Sequence, residues 1–339
     1  MDNSLFLLVL IVIAALGFGF SNGLNDAANA IATVIGSRVL APRTAIIMAA
    51  VCNLAGTLSG ALLGAHVAKT IGKGIVMPEE LTLVTVVAGV AGAIIWVLSA
   101  TYRGIPLSVS HSLVAGMLGA GIAAAGTDVI VWGVLRKVFL AVLFAPLLGF
   151  FGGFVIMVVT MWLFRRTAPD KVSSIFSKVQ IAASAFVAYA HGKNDGQMPI
   201  GIMALGLMIY YGRHQLDIPM FEIPVWVILV SAASVALGIF WGGWRVIRTV
   251  GTRITTLRPV HGSAAETSAA VVIEAASNLG IPVSTTQCIS GSVMGVGATK
   301  RLSAVRWGVA RGIVAAWVLT FPICIVLGWL MEKILSLVI

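Results

Sequence analysis

Ser21-Asn22-Gly23-Leu24-Asn25-Asp26-Ala27-Ala28-Asn29 lies inside an apolar run that extends from Leu5 to Gly36. Its centre returns 169 residues later as Gly192-Lys193-Asn194-Asp195. A second stretch, Gly104-Ile105-Pro106-Leu107-Ser108-Val109-Ser110, returns at an offset of 176 as Gly280-Ile281-Pro282-Val283-Ser284-Thr285-Thr286. Gly119 and Gly121 match Gly295 and Gly297 at that same second offset. Two polar motifs repeated in the same order within apolar surroundings mark an internal duplication.

The surroundings set the class. Of 339 residues, 59% are hydrophobic and 10% are charged, and the mean hydropathy is +1.04. A soluble domain carries about 25% charged residues. The composition therefore excludes a soluble enzyme, a nucleic-acid-binding module and a disordered chain. The apolar residues form long runs rather than a two-residue alternation, which selects membrane helices over a barrel. The runs are Leu5–Gly36, Ala45–Val67, Leu81–Ala100, Leu107–Ala125, Val138–Phe164, Ile181–Tyr211, Val225–Trp244, Ala264–Ala276, Ile281–Ala298 and Trp307–Leu330. Phe6–Phe20 lacks a basic flank and reads as a first membrane segment instead of a cleaved signal. Cys52, Cys288 and Cys324 have no paired spacing and specify neither a metal site nor a disulfide framework.

The expected fold is an all-α polytopic membrane protein of two inverted repeats, each with about three crossings plus a re-entrant helical hairpin. Residues 1–164 form the first repeat, 165–178 a basic cytoplasmic linker and 179–339 the second repeat. The two Gly-Ile-Pro stretches are the hairpin tips. With three crossings per repeat, thirteen basic residues fall on one side: Arg38, Arg43, Arg165, Arg166, Lys171, Lys178, Arg245, Arg248, Arg253, Arg258, Lys300, Arg301 and Arg306. Five fall on the other: Lys69, Lys73, Arg136, Lys137 and Arg213. Positive loops stay inside, so the richer side is cytoplasmic. The same rule accounts for the net charge of +10 without a polyanionic partner.

Ionisable residues within membrane segments are costly and mark function. Asp26 and Asp195 follow an Asn in each repeat, where the helix is expected to be interrupted. Their carboxylate and amide oxygens are hard ligands suited to a hard cation or a proton; capping of a broken helix is the structural alternative. Glu274, eight residues before Pro282, is a third candidate. The hairpin motifs follow a different logic. A helix beginning within the membrane directs free N–H groups and partial positive charge at its surroundings, which makes an anion site. Ser108, Ser110 and Ser112 at one tip and Ser284, Thr285 and Thr286 at the other add hydroxyls. Oxyanion and carboxylates together need a cation between them, and that points to symport. His111 and His191 read as packing partners, while His66, His214 and His261 sit near loop ends and read as solvated.

These residues resemble the PiT-type inorganic phosphate transporters. The resemblance rests on Gly23–Asn29, His191–Gln197, Gly104–His111, Gly280–Gln287 and Glu266-Thr267-Ser268-Ala269-Ala270, and spans nearly the whole chain. It implies import of inorganic phosphate by symport with a cation, sodium favoured over a proton, with phosphate at mid-membrane between the two tips. The implied phosphate set is Ser108, Ser110, Ser112, Ser284, Thr285, Thr286, Asn25, Asn194 and Gln287. The implied cation set is Asp26, Asp195, Asn25, Asn194 and Glu274, with Asp26 and Asp195 on sodium. No cofactor is implied beyond the transported ion. The expected partners are phosphate, sodium or a proton, the lipid bilayer and a second copy in a homodimer; nucleic acid is not one. Lys193 replaces a usual small residue, Val109 a hydroxyl and Gln287 a common His. Two other readings stay open, a carrier or channel for another tetrahedral oxyanion such as sulfate, and a membrane-embedded hydrolase using Asp26 and Asp195.

Overall fold

Long apolar runs become long helices because a lipid-embedded backbone must satisfy its own hydrogen bonds. A computed structural model describes residues 3–72, 76–77, 80–212 and 223–338; Lys73, Arg213 and His214 lie outside the described residues. Among the described residues the regular structure is helical, apart from an isolated bridge between Val76 and Ile130. The first half holds α1 (Asn3–Gly36), α2 (Pro42–Leu62), α3 (His66–Gly72), α4 (Leu83–Arg103), α5 (Val109–Ala125) and α6 (Trp132–Leu163). The second holds α7 (Pro169–Asn194), α8 (Gln197–Tyr210), α9 (Val225–Trp241), α10 (Trp244–Arg248), α11 (Pro259–Asn278), α12 (Thr285–Ala298) and α13 (Trp307–Val338). Six segments are long and apolar enough to cross a membrane, and the pair α9 plus Trp244–Arg253, bent by 60°, makes a seventh.

The two polar signatures behave differently. The expected interruption at Ser21–Asn29 is absent: α1 runs unbroken for 34 residues. The second signature does break, between Asn194 and Gln197. The reason lies four residues beyond Asp195. Pro199 has no N–H to donate and its ring crowds the carbonyl of residue 195; the matching residue in the first half, at the 169-residue offset, is Ala30. The expected linker also changes. Pro169 occupies the first turn of α7, so most of 165–178 is helix.

Signature glycines set the helix spacing. A Cβ on Gly23 would stand 2.1 Å from the Val235 carbonyl oxygen, and one on Gly192 would stand 2.1 Å from that of Asn53. Bare backbone at these points lets α1 lie against α9 and α7 against α2. The hairpins are α4–α5 and α11–α12, turning at Gly104 (φ 72°) and Gly280 (φ 66°), left-handed conformations that favour glycine. α4 has 21 residues and spans about 31 Å at 1.5 Å per residue, as long as a full crossing. The halves interleave: α6 packs on α11 and α12, and α13 packs on α4 and α5. Each half's last helix covers the other half's hairpin.

Candidate functional site

Each signature Asn braces its own hairpin, and the two do so in the same way. Asn25 Nδ2 donates to Thr101 Oγ1 (2.7 Å) and to the Ile105 carbonyl (3.4 Å). Asn194 Nδ2 donates to Ser277 Oγ (3.0 Å) and to the Ile281 carbonyl (3.1 Å). Thr101 and Ile105 match Ser277 and Ile281 at the 176-residue offset. Asn194 Oδ1 also accepts from the Val283 amide. Ser108 and Ser284 are matched N-caps, accepting from the amides of His111 and Gln287 at 3.2 Å each. A cap satisfies an amide that the helix itself cannot.

The helix start of α12 lies against both signature carboxylates. Thr286 Oγ1 donates to Asp26 Oδ1 at 2.9 Å. Thr285 Oγ1 lies 3.3 Å from Asp195 Oδ2 and 3.4 Å from Asp26 Oδ2. Asn29 Nδ2 donates to both hydroxyls, at 2.9 and 3.0 Å. His191 completes the group, with Nε2 3.4 Å from Asp26 Oδ2 and 3.4 Å from Asp195 Oδ2. The Asn53 amide, 2.7 Å from Nδ1, donates to the ring and leaves the hydrogen on Nε2, aimed at the carboxylates. All of these side chains are buried. The ligand atoms of Asp26, His191 and Asp195 lie within 4.8 Å of one another, and such a set can hold a cation. Asn25 Oδ1, Asn29 Oδ1 and Asp195 Oδ1 are buried without a protein partner, although buried polar atoms are nearly always bonded.

Several expected roles shift. Asp26 is not a helix cap, since α1 continues through it. Glu274 is not in the cluster; it pairs with Lys193 and Asn278 at the edge of the hairpin. Ser112 bonds back to the Ser108 carbonyl within α5. Ser110 reaches across to the Val283 carbonyl at 3.1 Å, so the two hairpins touch there. Gln287 is buried, its Oε1 has no protein partner, and the residue borders a groove of about 640 Å³ with Phe139, Pro146, Trp317 and Phe321. His261, expected to be solvated, is buried and accepts from the Arg258 amide through Nδ1.

One member of the cluster has a different role in the sequence reading, and a further buried acid lies outside the cluster. From the sequence His191 reads as a packing residue; its position four before Asp195, which places both on one helix face, is the available signal. Glu266, fully buried, accepts from Thr33 Oγ1, and its other oxygen has no partner. A lone acid within Ser263–Ala270 was its signal.

Comparison with known proteins shows the family and the overall fold. The profile of the Phosphate transporter family matches residues 22–328. A Rhizobium meliloti protein described as a probable low-affinity inorganic phosphate transporter is 43% identical over 318 residues, covering 93% of this chain and 92% of the relative. A Bacillus subtilis protein of the same description is 40% identical over 340 residues and the full length of both. A solved structure titled "The sodium-dependent phosphate transporter" superposes with a TM-score of 0.89 at 28% identity, covering 98% of this chain and all of the other.

Proposed function

The chain belongs to the phosphate transporter family, and from that premise we propose that it imports inorganic phosphate by symport with sodium. It is a multi-pass integral protein of the cell membrane, a transporter and not an enzyme. The observation that carries the symport reading is the buried group of Asp26, Asp195, His191, Thr285 and Thr286 at the start of α12.

Phosphate carries about one to two negative charges near neutral pH. Two carboxylates beside it would repel it strongly in a low-dielectric site unless a cation intervenes. Sodium accepts hard oxygen ligands, and the Asp26 and Asp195 carboxylates with the free oxygens of Asn25 and Asn29 are of that kind. In this reading the Thr285 and Thr286 hydroxyls turn from the carboxylates to the oxyanion as sodium takes their place. The amides at the start of α12 supply the remaining donors, and His191 Nε2 is one more. The sodium dependence of the structural relative supports this choice of ion. The matched brackets made by Asn25 and Asn194 support two repeats of opposite orientation, each holding its own hairpin.

The test is uptake of labelled phosphate into proteoliposomes with sodium and pH gradients imposed separately. Uptake driven by sodium alone supports the reading. Uptake driven only by the pH gradient makes the coupling ion a proton, and competition by equimolar sulfate makes the substrate a wider class of oxyanions.

A further inference from the structure

Each hairpin turn is held by a threonine hydroxyl and flanked by a cation. Thr249 Oγ1 donates to the Gly104 carbonyl at 2.8 Å, and Thr70 Oγ1 donates to the Gly280 carbonyl at 2.8 Å. Each threonine comes from the other half of the chain, Thr249 from the segment beyond the 60° bend after α9 and Thr70 from the short helix α3. Beside each turn a basic side chain from another helix reaches the hairpin, and the first hairpin also carries its own Arg103 next to Gly104. Lys193 Nζ pairs with Glu274 and donates to Asn278 Oδ1 at 2.9 Å, both on the last turns of α11. Arg245 donates to the Tyr102 carbonyl at 2.5 Å, and its guanidinium lies 4.3 Å from the centre of the Tyr102 ring. Tyr102 and Asn278 are the same position of the two hairpins at the 176-residue offset. The first half has Leu24 and Leu98 where the second has Lys193 and Glu274, so no ion pair forms there.

We infer that Lys193 and Arg245 are positioning residues that hold the two hairpin turns closed, one on each face of the membrane, and that transport requires their release in alternation. Lys193 sits on α7 two residues before Asp195, so its ion pair ties hairpin α11–α12 to the helix that carries the site. Arg245 sits on α10, which packs on α4 and on α1, the helix that carries Asp26, and it grips hairpin α4–α5 beside its turn. The two cations thus act on different hairpins, each from an element that touches α1. Lys193–Glu274 is an ion pair, which neutralising one partner breaks; Arg245–Tyr102 is a cation over a ring joined to a carbonyl bond, which keeps its charge unpaired. Which turn faces outward rests on the orientation adopted above: α11 enters from the cytoplasm and carries the Gly280 turn outward, and α4 carries the Gly104 turn inward.

Ile105 and Ile281 are matched, half-buried residues just past each turn and serve as reporters. Single cysteines are placed there in a chain lacking its native cysteines, and labelling by an impermeant thiol reagent is timed on oriented vesicles. Lys193→Met is expected to speed labelling of the Ile281→Cys reporter from outside by about tenfold, the scale of one charge-assisted bond at a partly exposed site. It leaves the Ile105→Cys reporter unchanged. Arg245→Met does the reverse, from the cytoplasmic face. Exchanging the charges, Lys193→Glu with Glu274→Lys, restores slow labelling and recovers uptake, whereas a merely structural defect would not be rescued. Glu274→Gln, which folds with less disturbance, repeats the Lys193→Met result. Unchanged labelling in Lys193→Met and Glu274→Gln overturns the inference, as does acceleration of both reporters by each variant. Selective acceleration from the opposite faces upholds the two clamps and overturns the orientation alone.

Discussion

Replacing Asp26 by Asn keeps the size of the side chain and its bonds to Thr286, and removes one charge from a site fully shielded from solvent. The atoms of Asp26, His191 and Asp195 that face one another lie within 4.8 Å. At that separation and an effective dielectric of about 20, one pair of unit charges interacts by about 3 kcal/mol. A sodium ion held between the carboxylates gains about that much from each. The variant loses one such term but keeps a neutral amide oxygen that can still face the ion, so the net loss is smaller, about 1.5–3 kcal/mol. The sodium concentration for half-maximal uptake should rise by about tenfold to a hundredfold. Asp195→Asn should behave similarly with a different size of effect, since Asp195 Oδ1 has no protein partner while both oxygens of Asp26 do. The assay is initial uptake of labelled phosphate into proteoliposomes, with sodium titrated against choline at constant ionic strength. Wild-type sodium dependence in both variants, at normal protein level, would refute the reasoning and leave these carboxylates as structural acceptors for Thr285 and Thr286.

Thr286→Val removes the donor to Asp26 Oδ1 and one acceptor of Asn29, and should raise the phosphate concentration for half-maximal uptake by about tenfold or more, while Ser112→Ala, whose hydroxyl is spent inside α5, should leave it unchanged. Gly192→Ala places a Cβ against the Asn53 carbonyl and should lower the melting temperature of the purified protein by several degrees, since forced overpacking costs about 1–3 kcal/mol. Asn194→Ala removes two donated bonds and one accepted bond from the Gly280 turn and should destabilise more than Asn25→Ala, which removes two; equal melting temperatures would contradict the bracket role. Single cysteines at Ser174 and Thr256, both exposed, should label from the cytoplasm, and those at Thr127 and Tyr211 from outside; labelling of all four from one face would end the inverted-repeat reading.

The amino-acid sequence alone determined the membrane class, the duplication, the two motif pairs and the family, because each is written in local composition or in spacing along the chain. It also located both turns, since Gly-Ile-Pro followed by hydroxyl residues has few other uses within an apolar run. Helix continuity was already harder. The polar cluster around Asp26 looks like a break, yet one residue decides the matter, Pro199 in the second half against Ala30 in the first. Beyond that the tertiary structure decided. Thr286 meets Asp26 across 260 residues of chain, and Asn29 meets Thr285 across 256. No periodicity records such a pairing, because it depends on how closely Gly23 and Gly192 let their helices approach and on where two hairpins end within the bundle. The same packing turned His191 from a bystander into the bridge between two carboxylates and drew Glu274 away to Lys193. Residue type shows what a side chain can bind; which partner it meets is set by helix contacts between residues far apart in the chain.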